Sequence, residues 1–191
     1  MKKQIPLPSA LNIGNRFRKV IEPHCEKVIM AGSVRRMKPM VGDIELVCLP
    51  AEPNSLNGFL NEYPGIIING ERLKRFFYPK SGIQIELYIP RPYDFGRILA
   101  IRTGSSVFSH SVLAVQWNRL GWCGTSEGLR RKAECIHGTS LWKIKKDFKD
   151  NPTLPPVFET EESFFEFLGL KWIPPEQRSW TSPNNKISYA T

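Results

Sequence analysis

Two carboxylates one residue apart, Asp43 and Glu45, sit in an otherwise apolar run, "GDIELVCLP" (42–50). In an extended chain residues i and i+2 project from one face, so these acids point together while Ile44 and Leu46 point the other way. Like charges held this close repel unless a cation stands between them. A hard divalent ion such as Mg²⁺ takes oxygen ligands and keeps positions open for phosphate oxygens. A third acid, Glu86, lies in "SGIQIELYIP" (81–90), where Ile83, Ile85, Leu87 and Ile89 alternate with Gln84, Glu86 and Tyr88. If the two strands are neighbours, three carboxylates converge, the set that two-metal phosphoryl transfer needs. The plainer reading of an Asp-x-Glu on a strand is a solvated polar face, and by alternation alone it is the commoner one.

What lies upstream strengthens the chemical reading. "GSVRR" (32–36) precedes the acids, with Gly42 just before them. Gly32 permits close backbone approach, Ser33 offers a hydroxyl, and Arg36 offers a fork of donors matched to phosphate oxygens.

These residues need elements to hold them. Residues 9–22 show apolar positions at helical spacing (Ala10, Ile13, Phe17, Val20, Ile21), with Ser9 as N-cap and Pro23 as stop. Strands are expected at "KVIMAG", "GDIELVCLP", "GIIING", "RLKRFFYP" and "SGIQIELYIP", with a short helix between residues 51 and 65. Two helices follow, over "RPYDFGRILAIRTGS" and "SVFSHSVLAVQWNRLG". From residue 122 short strand-like pieces give way to a proline-rich loop. "TEESFFEFLG" then reads as a helix with Thr160 as N-cap, acids in its first turn and Gly169 as stop. Phe164, Phe165, Phe167 and Leu168 read as core, Cys48 as a buried strand residue, and Trp172 with the prolines behind it as a lobe closure. The pattern predicts an α+β protein: a mixed sheet with helices over 1–104 and a small C-terminal α+β lobe over 105–191.

Bulk composition narrows the partners. The chain has 191 residues, 27 Lys and Arg against 18 Asp and Glu, and a formal charge of +9. Such an excess favours a polyanion, nucleic acid before an anionic membrane. No run approaches the roughly 18 apolar residues of a membrane span, and the N-terminus makes a poor signal peptide. Cys25, Cys48, Cys123 and Cys135 are scattered and form no ligand cluster with the three histidines, a pattern that fits reduced thiols in the cytoplasm.

Taken together, Gly-Ser-x-Arg-Arg, then Gly-Asp-x-Glu, then a third acid on a later strand resembles the nucleotidyltransferase fold of the family X DNA polymerases. "LAIRTGSSVFSH" resembles that family's Thr-Gly segment, and "TEESFFEFLGLKWIPPEQR" its closing signature, so the resemblance spans about residues 10–178. It implies a minimal form without lyase and helix-hairpin-helix domains. It also implies a monomer that adds nucleotides to a primer 3′-hydroxyl in gap filling or repair. The implied partners are primer-template or gapped DNA and a nucleoside triphosphate, with two Mg²⁺ ions, or Mn²⁺ in their place, and no membrane. Asp43, Glu45 and Glu86 would then be the catalytic, metal-binding carboxylates. Gly32, Ser33, Arg36 and Gly42 would bind the triphosphate, Thr103 and Gly104 would lie beside the sugar, and Ser106 and Ser109 near the base. A viral, phage or cellular origin all fit.

The chain departs from the family pattern in two places. Two of the three acids are Glu, one methylene longer than the usual Asp, so the backbone must retreat or the ions must shift. Ile101-Arg102 stands where an aromatic pair often precedes Thr-Gly. For the DNA backbone the candidates are Arg130, Arg131 and Lys132, then Lys143, Lys145, Lys146 and Lys149, with Arg16, Arg18, Lys19 and "ERLKR" as a substitute path. A solvated basic face is an equally good reading of any one of them. His110 is a weaker candidate at the nucleotide end. A small-molecule nucleotidyltransferase of the antibiotic-modifying type would share the Asp-x-Glu…Glu site. A nucleic-acid-binding module would not need all three acids.

Overall fold

The structure, a computed structural model, describes residues 3–52, 54–79, 81–139 and 141–181. The polar tail from residue 182, part of the expected C-terminal lobe, lies outside the described residues. Strand β1 (Ile5–Pro6) leads into helix α1 (Leu7–Ile21), and strand β2 (Cys25–Met30) follows. A one-turn helix α2 (Gly32–Arg35), strand β3 (Met40–Val41) paired to β1, and strand β4 (Asp43–Pro50) come next. Helix α3 (Ser55–Asn61) precedes strands β5 (Ile66–Asn69), β6 (Leu73–Phe77) and β7 (Gln84–Tyr88). α1 starts three residues earlier than the Ser9 cap predicts, with Pro6 at the cap position and Pro8 in the first turn, where its missing N–H costs no hydrogen bond.

Five strands form one mixed sheet in the order β2-β4-β7-β6-β5. β4 and β7 run parallel, and the other pairings are antiparallel. One face carries Ile44, Leu46, Cys48, Ile85 and Leu87, fully buried against Ala10, Phe17 and Ile21 of α1 and Leu56 and Leu60 of α3. On the other face Val47, Leu49 and Tyr88 pack with Phe95 and Leu99 of helix α4 (Phe95–Thr103). Asp43, Glu45 and Glu86 stand on this second face, before α4 covers it.

Beyond α4 comes a helical run: α5 (Ser106–Phe108), a π-helical stretch Ser109–Ala114, and α6 (Val115–Arg119). Strands β8 (Trp122–Thr125) and β9 (Gly128–Arg131) make one hairpin, and β10 (Cys135–His137) and β11 (Trp142–Ile144) a second. Helix α7 (Glu161–Phe167) closes the lobe. Thr160 caps it, its hydroxyl accepting from the Ser163 amide at 3.2 Å, and Gly169 leaves it with φ +67°. Phe164 and Phe165 are fully buried with Ala100, Phe108 and Trp117 in a separate core, whereas Trp172 is 40% exposed rather than sealing the lobe. α4 serves both cores, through Phe95 and Leu99 on the sheet and Ala100 in the lobe.

A buried charge cluster pins the lobes together. Glu161, 3% exposed, accepts from Arg35 at 2.7 Å and from Arg178, which is completely buried. Arg35 also donates to the Thr103 hydroxyl at 2.7 Å. Burial alone would raise the Glu161 carboxyl, but hydrogen bonds and charge from Arg35 and Arg178 outweigh it and hold the group below its ordinary value. Its contribution is therefore complete above the ordinary carboxylate range and is lost as pH falls through the depressed value. Glu161→Ala leaves two arginines without their shared acid and should lower stability by about 3–5 kcal/mol at neutral pH. The loss should shrink in acid, which urea melts at pH 7 and pH 3.5 will read.

Candidate active site

Strand register assembles the acids. Glu45 on β4 and Glu86 on β7 are direct partners across the parallel pair, and Asp43 is opposite Gln84. Burial and the neighbouring Asp43 charge, with a further push from Glu86, raise the Glu45 carboxyl to about 7, despite Arg102 and Arg36. Glu86, 7% exposed, is held more tightly. Across the β6–β7 pairing Arg75 lies opposite it and donates from Nε at 2.8 Å. Gln84 donates to the same oxygen at 2.6 Å, and the Tyr88 hydroxyl to the other.

The "GSVRR" turn abuts these acids. Gly32 has φ +61°, and a Cβ on it would stand 2.1 Å from Glu45 Oε2, so only glycine leaves room for the longer acid. Met37 takes a left-handed backbone at φ 56°, and the Lys38 amide closes the turn on the Ser33 carbonyl at 3.0 Å. Ser33 Oγ and Arg36 Nε are buried without a hydrogen-bond partner among the described residues. Arg36 donates through Nη1 to the Thr103 carbonyl at 2.6 Å. Burial lowers its pKa while Glu45 and Asp43 counter the shift, so the guanidinium stays charged.

Two cavities are lined by the acids Glu45 and Glu86. One, of about 340 Å³, is lined by Arg36 and Glu45 on one wall and by Gly104, Ser106, Ser109 and His110 on the other. Arg102, stacked 3.9 Å above the Tyr88 ring, also borders it. The other, of about 530 Å³, is bordered by Gly42, Arg75, Gln84 and Glu86. Gly104 is extended, and its bareness admits Phe108, whose ring would lie 2.6 Å from a Cβ there. Ser109 spends its hydroxyl on the Ile101 carbonyl at 2.9 Å. Thr103 is completely buried in the clamp with Arg35 and Arg36 instead of facing the cavity.

A metal would find an oxygen-only donor set, which suits a hard divalent ion. Among the described residues, however, no three His, Cys, Asp or Glu side chains are gathered closely enough to hold one as they stand. Glu86 is turned to Arg75, Gln84 and Tyr88. Sequence reasoning missed these holders, although Gln84 and Tyr88 stand at i−2 and i+2 from Glu86, a spacing that places them on its face. It also missed the clamp of Arg35, Glu161 and Arg178, which no local pattern reveals.

The basic candidates separate. Arg131, Lys132, Lys143, Lys146 and Lys149 are exposed, Arg131 stacking 4.1 Å over Trp122, and Lys145 donates to the Ala133 carbonyl. Arg130 points inward: it is 8% exposed and gives Nη1 to the Thr153 carbonyl at 2.6 Å. Arg16 and Lys19 of α1 are exposed. Among the described residues no helix is long and apolar enough to cross a membrane.

Known proteins share this architecture. The DNA polymerase beta thumb family matches residues 98–179. Leishmania infantum polymerase beta in a ternary P/T complex superposes with a TM-score of 0.67 at 17% identity, over 93% of this chain and 77% of that one. The same enzyme in a ternary gap complex gives 0.66 at 16%, over 92% and 71%. No curated protein sequence matches the chain. The chain thus has a polymerase beta-like fold over nearly all of its length, and residues 98–179 match the polymerase beta thumb family.

Proposed function

We propose that the protein is a DNA polymerase that extends a primer 3′-hydroxyl from nucleoside triphosphates, in gap filling or repair. The observation that carries the reading is that Glu45 and Glu86, partners across the β4–β7 pair, each line a separate cavity, Glu45 one with Arg36 and Glu86 one with Gly42. Each cavity could take one of two substrates. The thumb match favours DNA over a small-molecule acceptor.

In this reading Asp43, Glu45 and Glu86 hold divalent cations, Mg²⁺ or Mn²⁺. When bound, these neutralise the triphosphate and ease deprotonation of the attacking hydroxyl. The protein's own groups do the placing. Arg36 and the partnerless Ser33 hydroxyl hold triphosphate oxygens, with backbone approach at Gly32 and Gly42. Ser106 and the Ser105–Ser109 turn border the sugar and base. Thr103 acts indirectly, since its hydroxyl and carbonyl fix Arg35 and Arg36. Arg75 neutralises Glu86, which would have to give up that pairing to serve a cation. Exposed Arg131, Lys132, Lys143 and Lys146 contact DNA phosphates, while Arg130 supports the lobe from inside.

Three outcomes test the reading. Asp43→Asn should fold normally and lose primer extension by roughly a thousandfold or more, since several kcal/mol of charge stabilisation disappears. Extension at wild-type rates would place the chemistry elsewhere. Arg36→Ala removes a charge-assisted contact of about 1.5–3 kcal/mol and should raise the KM for the incoming nucleotide roughly ten- to hundredfold. An unchanged KM with weakened DNA binding would reassign Arg36. The raised Glu45 pKa means that the metal-free fold keeps a proton which the unfolded chain loses near pH 4.5, so stability falls from there to about pH 7. Glu45→Gln should flatten that decline and raise the metal-free Tm above pH 7. It should also blunt stabilisation by Mg²⁺, as thermal melts with and without the ion will show.

A further inference from the structure

A groove of about 560 Å³ lies on the C-terminal lobe, bordered by the β8–β9 turn and the β10–β11 hairpin, and it shares no lining residue with the cavities at Glu45 and Glu86. Ile136 and Trp142 line it together with Lys143, Lys145, Lys146 and Lys149. Glu127 is the acid that borders it, and Arg72 at 2.8 Å and Arg91 at 3.8 Å pair with that carboxylate. Asp147 and Asp150 are exposed on the same segment but do not line the groove. Lys145 ties its strand to the Ala133 carbonyl, which leaves Lys143, Lys146 and Lys149 exposed at the rim.

Apolar surface lies open among these cations. Ile136 is 59% exposed, Leu141 on the same hairpin 57%, and Phe148, between Lys146 and Lys149, 37%. Trp142 is half-buried, its ring held edge-on to His137 at 5.0 Å. A purely solvated basic face has no need of these side chains, and a duplex would not use them, because its base faces are stacked inside. A single strand presents both an anionic backbone and unpaired base faces, which aromatic and apolar side chains accept without regard to sequence.

We propose that this groove binds single-stranded DNA, with phosphates on Lys143, Lys146 and Lys149 and bases against Trp142 and Ile136. Its occupant is then the unpaired template strand beyond the primer junction. That last assignment rests on the polymerase reading, whereas single-strand binding itself does not.

The test is fluorescence anisotropy with the full chain and two labelled probes, an oligo-dT of about twelve nucleotides, within the span of a single-strand site, and a blunt duplex of equal length. Trp142→Ala should weaken oligo-dT binding roughly five- to hundredfold, the fold-change equivalent to losing one stacked base. Trp142→Phe should restore most of it, and duplex binding should change less than about twofold. An undiminished oligo-dT affinity in Trp142→Ala, with a wild-type melting curve, would overturn the proposal. So would an equal loss on both probes, or displacement of oligo-dT from wild type by poly-glutamate as readily as by unlabelled oligo-dT, which would mark a site for acidic proteins. Primer extension by the wild type separates the two ideas. If it is absent while Trp142-dependent oligo-dT binding persists, the polymerase reading fails and the groove stands. If it is present while that binding is absent, the groove fails alone.

Discussion

The parallel pairing of β4 with β7 sets Glu45 directly beside Glu86, and the two-residue period of β4 adds Asp43 to the same face. Three acids on a partly covered sheet face oppose folding, and the raised Glu45 pKa registers that conflict. The surrounding structure answers it locally. Arg75 lies opposite Glu86 on the next strand, Arg36 and Arg102 oppose the Glu45 charge, and Gly32 gives the longer side chain room. Two residues further along β4 the same face turns apolar at Val47 and Leu49 and is sealed by α4. A sheet designed only for stability would have continued that apolar face to the start of the strand. Keeping acids there makes sense where they serve a ligand and not packing.

The consecutive arginines of "GSVRR" show how the site is fixed to the rest of the molecule. Arg35 leaves the one-turn helix toward the Thr103 hydroxyl and Glu161, and Arg36 toward the Thr103 carbonyl. One threonine at the end of α4 thereby receives both. The turn beside the acids cannot shift without disturbing α4 and the first turn of α7, where Arg178 shares Glu161. The link is brittle by design of its charges: a buried acid between two arginines is stable as a set and costly when one member leaves. It ties the Gly32–Arg36 turn to both α4 and α7.

Much of this was legible in the sequence, and the reasons differ by feature. Strict alternation in "SGIQIELYIP" and the Gly-to-Pro bounds of "GDIELVCLP" disclosed both acid-bearing strands, because a sheet with differing faces imposes period two. Thr160 and Gly169 disclosed α7, because cap chemistry is local. The parallel adjacency of β4 and β7 entered only as a condition, since no local signal fixes strand order. The Arg35–Glu161–Arg178 cluster joins residues 126 and 17 positions apart in the chain, beyond the reach of any periodicity. The burial of Arg130 and Thr103, and the partners they hold, were hidden for the same reason. A sequence shows that a side chain is basic or hydroxylic, not whether a neighbouring carbonyl or guanidinium has already claimed it.

The formal charge of +9 is therefore not one property but two. Arg35, Arg75, Arg97 and Arg178 are partnered with Glu161, Glu86 and Asp94, and their charge is spent on holding the fold and the site. Lys132, Lys143, Lys146 and Lys149 face water. The buried, paired cations are arginines, which follows from their chemistry. A planar guanidinium is more weakly hydrated and can satisfy several acceptors at once, whereas an ammonium keeps its water and acts as a point charge. The positive charge still open to solvent on the C-terminal half thus includes Arg131 and these lysines, while the paired arginines are held by the carboxylates of the fold.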